Sequence, residues 1–224
     1  PIQFCEKYCQ YVDEGYTDVI HVPINRSGSS TYNNAVMAQG MLREERPEHH
    51  LNIHLLDPHT YSMVFGWYLC EMARKLQNGA ELRHVISEFE TQMNKMEIIL
   101  GPYSLKQMKK SGRISAAAAV MGELMGIRPI ITLIDGKTGV ESKVRGDDKV
   151  IPAMIDLCKK RAEGVEDFDY MIGHTSIPQA VELEKACRKA FGKAPLTTFN
   201  LGGVVSANTG PDTLALVYVG KPRG

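Results

Sequence analysis

Four hydroxyls fall within five residues at Ser27, Ser29, Ser30 and Thr31. They sit in the segment Asn25-Arg26-Ser27-Gly28-Ser29-Ser30-Thr31, which follows the apolar run Val19-Ile20-His21-Val22-Pro23-Ile24. A helical pattern begins at about Tyr32 and runs to Arg46, where Pro47 stops it. The segment therefore joins the C-terminal end of a strand to the N-terminus of a helix, the edge at which open parallel sheets collect ligands. Free backbone N–H groups and the helix dipole favour an anion there. One Ser or Thr would be enough to cap the helix. Four exceed that need and predict a ligand-holding loop. No Gly-Lys-Ser/Thr follows, so this is not a P-loop, and no Gly-x-Gly-x-x-Gly marks a dinucleotide site.

Other chemistry-bearing residues admit two readings. Lys109-Lys110-Ser111-Gly112-Arg113 and Lys143-Val144-Arg145 form two basic clusters. They suit an anion or partner patch, and equally a solvated helix end and a guarded hairpin edge. His49, His50, His54 and His59 lie within eleven residues. Their spacing matches no zinc-binding helix pattern and reads as a polar loop entering a strand. His174 ends a strand and can line a cleft or cap the next helix. Asn208-Thr209-Gly210-Pro211 reads as a polar turn after Gly202-Gly203. The 11 methionines suit core filling or an apolar tunnel. No Ser/His/Asp order, nucleophile motif or metal quartet emerges, so binding is expected rather than catalysis, with no metal and no cofactor. The five cysteines include no Cys-x-x-Cys; Cys5 and Cys9, one helical turn apart, read as small apolar side chains with reduced thiols.

The elements that must hold these residues alternate along the first half of the chain. Strands are predicted over Thr17–Ile24, buried on both faces, over Leu51–Asp57, and over Glu97–Leu100. Helices are predicted at about 61–78 and 80–95, with Gly79 between them. That alternation implies parallel β-α-β units. The second half mixes hairpins and crossovers. A helix is predicted over Ile114–Met125, and a strand over Ile127–Leu133 that turns through Asp135-Gly136 into Val140–Val144. Further helices span Asp148–Ala162 and Pro178–Phe191, with strands at Asp169–Gly173, Thr197–Asn200 and Leu214–Val219. The fold class is α/β, with a parallel-sheet first domain over 1–104 and a mixed-sheet α+β second domain over 105–224. Lys+Arg and Asp+Glu both number 26, so bulk attraction to nucleic acid or an anionic membrane is not expected. No apolar run reaches the ~18 residues of a membrane span, and a cytoplasmic location is expected.

Several motifs in order resemble the DegV family of bacterial fatty-acid-binding proteins. Ser29-Ser30-Thr31-Tyr32 follows a strand where the family has Ser-Gly-Thr-Tyr, and Asp57 precedes Met63 and Gly66. Lys110-Ser111-Gly112-Arg113-Ile114-Ser115, Ile127-Arg128-Pro129-Ile130, Asp135-Gly136 and Lys143-Val144-Arg145-Gly146 match in turn. Gly173-His174-Thr175 and Thr209-Gly210-Pro211 complete the set. The resemblance implies two α/β domains with a long-chain fatty acid in a tunnel between them. Ser27, Ser29, Ser30 and Thr31, with Asn208 and Thr209, are the implied carboxylate-binding residues. It also implies a carrier that presents the lipid to a fatty acid kinase, with Arg113 and Arg145 at the kinase contact. Here Asn208 stands where the family usually has His, Asp212 replaces a Gly, and Asn25-Arg26-Ser27 replaces Ser-Ser-Gly. The family's first strands and a Thr-Ser-Gln-Pro loop would precede Pro1. Because Asn cannot titrate, lipid retention is expected to vary less between about pH 5 and 8 than in a His-bearing relative. Two alternatives remain at this level, a phosphotransferase binding a phosphorylated metabolite and a lipid-responsive regulatory module.

Overall fold

The computed structural model describes residues 1–113, 126–166 and 168–222, so the predicted helix Ile114–Met125 lies outside the described residues. The chain divides into two compact units, Pro1–Tyr61 and Ser62–Gly224.

The first unit runs α1 (Ile2–Asp13), β1 (Asp18–His21), α2 (Thr31–Glu45) and β2 (Asn52–Leu55). β1 and β2 pair in parallel, from Asp18 opposite Asn52 to His21 opposite Leu55. The helix between them is the crossover that a parallel pair requires. α1 turns Cys5, Tyr8 and Cys9 inward, and they pack with Ala38 and Leu42 of α2 and with Leu51. The spacing i, i+3, i+4 places those three side chains on one helical face. β1 is shorter than predicted and half-buried rather than buried on both faces. Only one strand flanks it among the described residues, so its apolar side chains rely on helices for cover.

His21, at the end of β1, faces the ring of Phe4 edge-on at 4.9 Å and meets the Tyr8 hydroxyl through Nδ1 at 2.5 Å. Burial pushes the Tyr8 phenol up to about 12, so Tyr8 keeps its proton. Burial lowers the His21 pKa below 6.5. The unfolded chain therefore takes up a proton at this site before the folded chain does. His21 favours folding above about pH 6.5, and that contribution is lost as the pH falls from there through the folded pKa. The urea midpoint should drop between pH 7 and pH 5, and His21→Gln should flatten that part of the drop. An unchanged slope in the variant would contradict the burial argument.

The second unit begins with α3 (Met63–Gln77) and α4 (Leu82–Met93). The Glu81 carboxylate caps α4 by accepting from the N–H groups of Arg83 and His84. Next come β3 (Met96–Pro102), α5 (Lys106–Ser111), β4 (Ile127–Ile134), β5 (Lys137–Arg145) and a 3-10 turn at Asp147–Lys149. The chain continues as α6 (Val150–Arg161), β6 (Tyr170–His174), α7 (Gln179–Phe191), β7 (Thr198–Asn200), α8 (Gly203–Thr209) and β8 (Thr213–Val219). Six strands form one sheet in the order β5-β4-β3-β8-β6-β7. Only β6 and β7 run parallel; the other pairs are antiparallel. β4 and β5 form the predicted hairpin. Asp135 and Gly136 both have positive φ, 49° and 71°, as a two-residue turn matched to strand twist demands.

The predicted third strand changes sheets. Rather than extending a parallel sheet with β1 and β2, β3 pairs antiparallel with β4 and β8. All seven of its residues are buried, and β8 offers an equally buried seven-residue partner, Thr213–Val219. β3 and its partners all lie in the second compact unit, which begins at Ser62. The second unit's core gathers Ile99, Ile130, Met154, Ile172, Leu183, Leu216 and their neighbours between the sheet and helices α6 and α7. No described helix is long and apolar enough to cross a membrane.

Candidate functional site

Asn25 organises the hydroxyl loop. Its backbone N–H donates to Thr60 O at 3.0 Å. Its side-chain Oδ1 accepts from Ser27 N at 2.7 Å, from Ser27 Oγ at 2.7 Å and from Gly28 N at 3.2 Å. Because backbone N–H groups can only donate, the oxygen must face the loop and the NH₂ must face the other way. Asn25 is 1% exposed. Its Nδ2 is the one buried side-chain nitrogen or oxygen without a partner among the described residues. A buried amide donor left unpaired costs ~1–3 kcal/mol, and an acceptor brought in by a ligand would remove that cost.

Ser29 and Thr31 form a second donor. Their hydroxyl oxygens lie 2.7 Å apart, and Thr31 N donates to Ser29 Oγ at 3.2 Å. Two hydroxyl protons share one mutual bond, so one of them is left for an outside acceptor. If Thr31 donates, both lone pairs of Ser29 are filled and the Ser29 O–H is the one left. Ser27 differs: its proton is turned inward to Asn25. Ser30 is exposed at the N-cap position of α2, yet no side-chain cap bond forms there. Among the described residues, the one N–H of the helix start that a side chain satisfies is that of Thr31, bonded to Ser29, so capping does not account for Ser30.

Two further groups frame the loop. Asp57 Oδ1 accepts from Arg26 N at 3.3 Å and from His59 N at 2.9 Å. The Tyr61 ring lies over Gly28, so a Cβ there would sit 1.8 Å from the Tyr61 hydroxyl oxygen. Burial, helped by the Asp57 charge, raises the Tyr61 pKa and keeps the phenol neutral. Gly28→Ala should force the ring or the loop to shift, costing ~1–3 kcal/mol by overpacking. Pairing it with Tyr61→Leu should restore most of that loss in a thermal melt. Failure of the rescue would mean that Gly28 is needed for its backbone and not for the room it leaves.

The remaining sequence-predicted residues belong to the second unit. Asn208 and Thr209 lie at the end of α8 rather than in a turn. Gly202 and Gly210 flank that helix with positive φ, 76° and 88°, so the glycines read as a turn are its two boundaries. Asn208 is half-buried, and its Nδ2 donates to Val204 O at 2.8 Å. Thr209 is buried and donates to Gly210 O at 3.3 Å, while Thr213 Oγ1 donates to Thr209 O at 3.0 Å. The Thr209 hydroxyl proton is thus engaged within its own turn. His174 Nδ1 accepts from Ser176 N at 2.9 Å. Arg113 follows the left-handed Gly112 that ends α5, and Arg145 is the exposed last residue of β5. Sequence reasoning missed the Asn25 amide and Tyr61. The signal for Asn25 was present as an Asx turn, Asn two residues before Ser-Gly.

The first unit thus presents neutral donors beside a helix N-terminus, and the second a mixed sheet with covering helices. Together they define an α/β protein with an anion-ready loop. The family model described as an uncharacterised protein of the DegV family matches residues 1–221. The chain belongs to the DegV family. A DegV domain-containing protein of Staphylococcus aureus strain COL is 29% identical over 227 residues, covering 98% of this chain and 75% of that protein. A fatty-acid-binding DegV family protein of Streptococcus agalactiae superposes with a TM-score of 0.82 at 26% identity, over 98% of this chain and 76% of its own. A stearic-acid-binding protein of Eubacterium ventriosum shares the fold with a TM-score of 0.86 at 21% identity, over 98% and 76%.

Proposed function

We propose that the chain binds a long-chain fatty acid, with the carboxylate at the Ser27–Thr31 loop and the acyl chain in an apolar tunnel. The observation that carries this is the buried, unpartnered Nδ2 of Asn25 in the same loop as the spare proton of the Ser29–Thr31 pair. Relatives that bind fatty acids support it, the Streptococcus agalactiae protein among them. Burying a methylene is worth ~0.8 kcal/mol, so an acyl chain of about sixteen carbons gains on the order of 10 kcal/mol gross, before ordering costs. The carboxylate opposes this, because dehydrating it without partners costs several kcal/mol. Neutral donors at a helix N-terminus offset that cost without a fixed countercharge that would hold the lipid after its tail is released.

In this reading the protein is a carrier and not an enzyme. It presents its lipid to a fatty acid kinase, and Arg113 and Arg145 contact that partner. Ser29 is the first direct donor, with Ser30 and Thr31 beside it. Ser27 acts by fixing the loop. Denaturing extraction of the purified protein, followed by mass spectrometry of small molecules, should recover long-chain acyl species in near-stoichiometric amount. An extract free of them, together with nucleotide turnover by the isolated protein, would favour the phosphotransferase instead.

A further inference from the structure

Cys5 and Cys9 lie one turn apart on α1 and face Glu45 in the last turn of α2. Cys5 Sγ is 3.6 Å from Glu45 Oε1, and Cys9 Sγ is 3.5 Å from Glu45 Oε2. A ligand atom from each of the three residues lies within 4.8 Å of the others. One account is a pair of thiol–carboxylate hydrogen bonds joining two helices. The distances also suit a bound metal ion. On a tetrahedral zinc, with Zn–S ~2.3 Å and Zn–O ~2.1 Å, a sulfur and an oxygen ligand stand roughly 3.6 Å apart and two sulfurs roughly 3.8 Å. Each sulfur stands at about that separation from a different carboxylate oxygen, which suits an ion held between the two sulfurs and both Glu45 oxygens.

The surroundings favour an ion over a purely apolar contact. Both thiols are buried against Ala38 and Leu42, whereas Glu45 is exposed and leaves one side open to water. We propose that Cys5, Cys9 and Glu45 form a binding site for a thiophilic divalent metal ion of the zinc class, with water completing the coordination. Binding replaces two S–H bonds by two metal–sulfur bonds and releases two protons to solvent. The sequence reading assigned no metal, because Glu45 stands far from the cysteine pair along the chain and nothing in the residue pattern links them.

Titrating the reduced, metal-free chain with Co(II) tests this. One ion should bind per chain with a sulfur-to-cobalt charge-transfer band, and Zn(II) should displace it. Cys5→Ser, Cys9→Ser and Glu45→Gln should each weaken binding at least about tenfold, while Cys158→Ser, in the other unit, changes nothing. Should a cysteine variant fail to fold, alkylation of the wild type followed by peptide mass spectrometry serves in its place. Zn(II) should slow labelling of Cys5 and Cys9 at least about tenfold and leave the exposed Cys70 untouched. A missing charge-transfer band, a band that survives both serine substitutions, or labelling of Cys5 and Cys9 indifferent to zinc would each overturn the assignment.

Discussion

Asn25→Asp should weaken binding of a long-chain fatty acid by about 100-fold, read by calorimetric titration of delipidated protein. The substitution is nearly isosteric. A carboxylate oxygen can still accept from Ser27 N, Ser27 Oγ and Gly28 N, so the loop keeps its shape. What changes is the other side of the group, where a buried amide donor becomes an acceptor bearing charge. A hydrogen bond to a charged group contributes ~1.5–3 kcal/mol, and repulsion between two carboxylates adds to that loss. Asn25→Ala separates the two roles: it removes the donor and the loop's acceptor together, so it should loosen the loop as well as lower affinity. If Asn25→Asp binds lipid as tightly as the wild type, Nδ2 does not face the ligand.

Glu97→Ala should destabilise the protein by about 3 kcal/mol, a large share of the stability of an ordinary domain. Glu97 stands near the start of β3 and is buried; its Oε2 accepts from Arg161 Nε at 2.6 Å and from the Tyr218 hydroxyl at 2.5 Å. Tyr218 is its register partner on β8, and Arg161 is the last residue of α6, so one carboxylate ties two strands and a helix together. Burial and the Glu97 hydrogen bond raise the Tyr218 pKa, and the same carboxylate raises that of Arg161. Removing Glu97 strands a fully buried hydroxyl and leaves the partly buried guanidinium only the Glu141 carboxylate at 3.9 Å. Breaking such a pair from one side typically costs ~3–5 kcal/mol, and the partial exposure of Arg161 puts this case at the lower end. Glu97→Gln keeps an acceptor and should cost less. A denaturant midpoint unchanged in Glu97→Ala would mean that water replaces the carboxylate without penalty.

What was readable in the sequence was local. The Asp135-Gly136 turn is written in two residues that tolerate positive φ, and the hairpin around it formed as expected. The loop hydroxyls were legible because four of them exceed the need of one cap. Pairing was not legible. β3 is an apolar run, and such a run states that it is buried without stating beside which strand. Its partner β8 lies near the far end of the chain. Asn208 and Thr209 looked like a turn because glycines flank them, yet seven residues between two positive-φ glycines are enough for a short helix. The Asn25 amide escaped notice because a pattern shows which groups are polar and not which are left unpaired after folding. The Glu45 contact with Cys5 and Cys9 escaped for a related reason, since it depends on how two helices pack.

The claim beneath the functional proposal is that uncharged donors around Ser29 hold an acid headgroup. Titrating delipidated protein with hexadecanoate and with hexadecan-1-ol compares headgroups on one tail. The acid should bind at least about tenfold more tightly, and Ser29→Ala should close most of that gap, as loss of a hydrogen bond to a charged group implies. Equal affinity for acid and alcohol, or a gap that Ser29→Ala leaves intact, would contradict it.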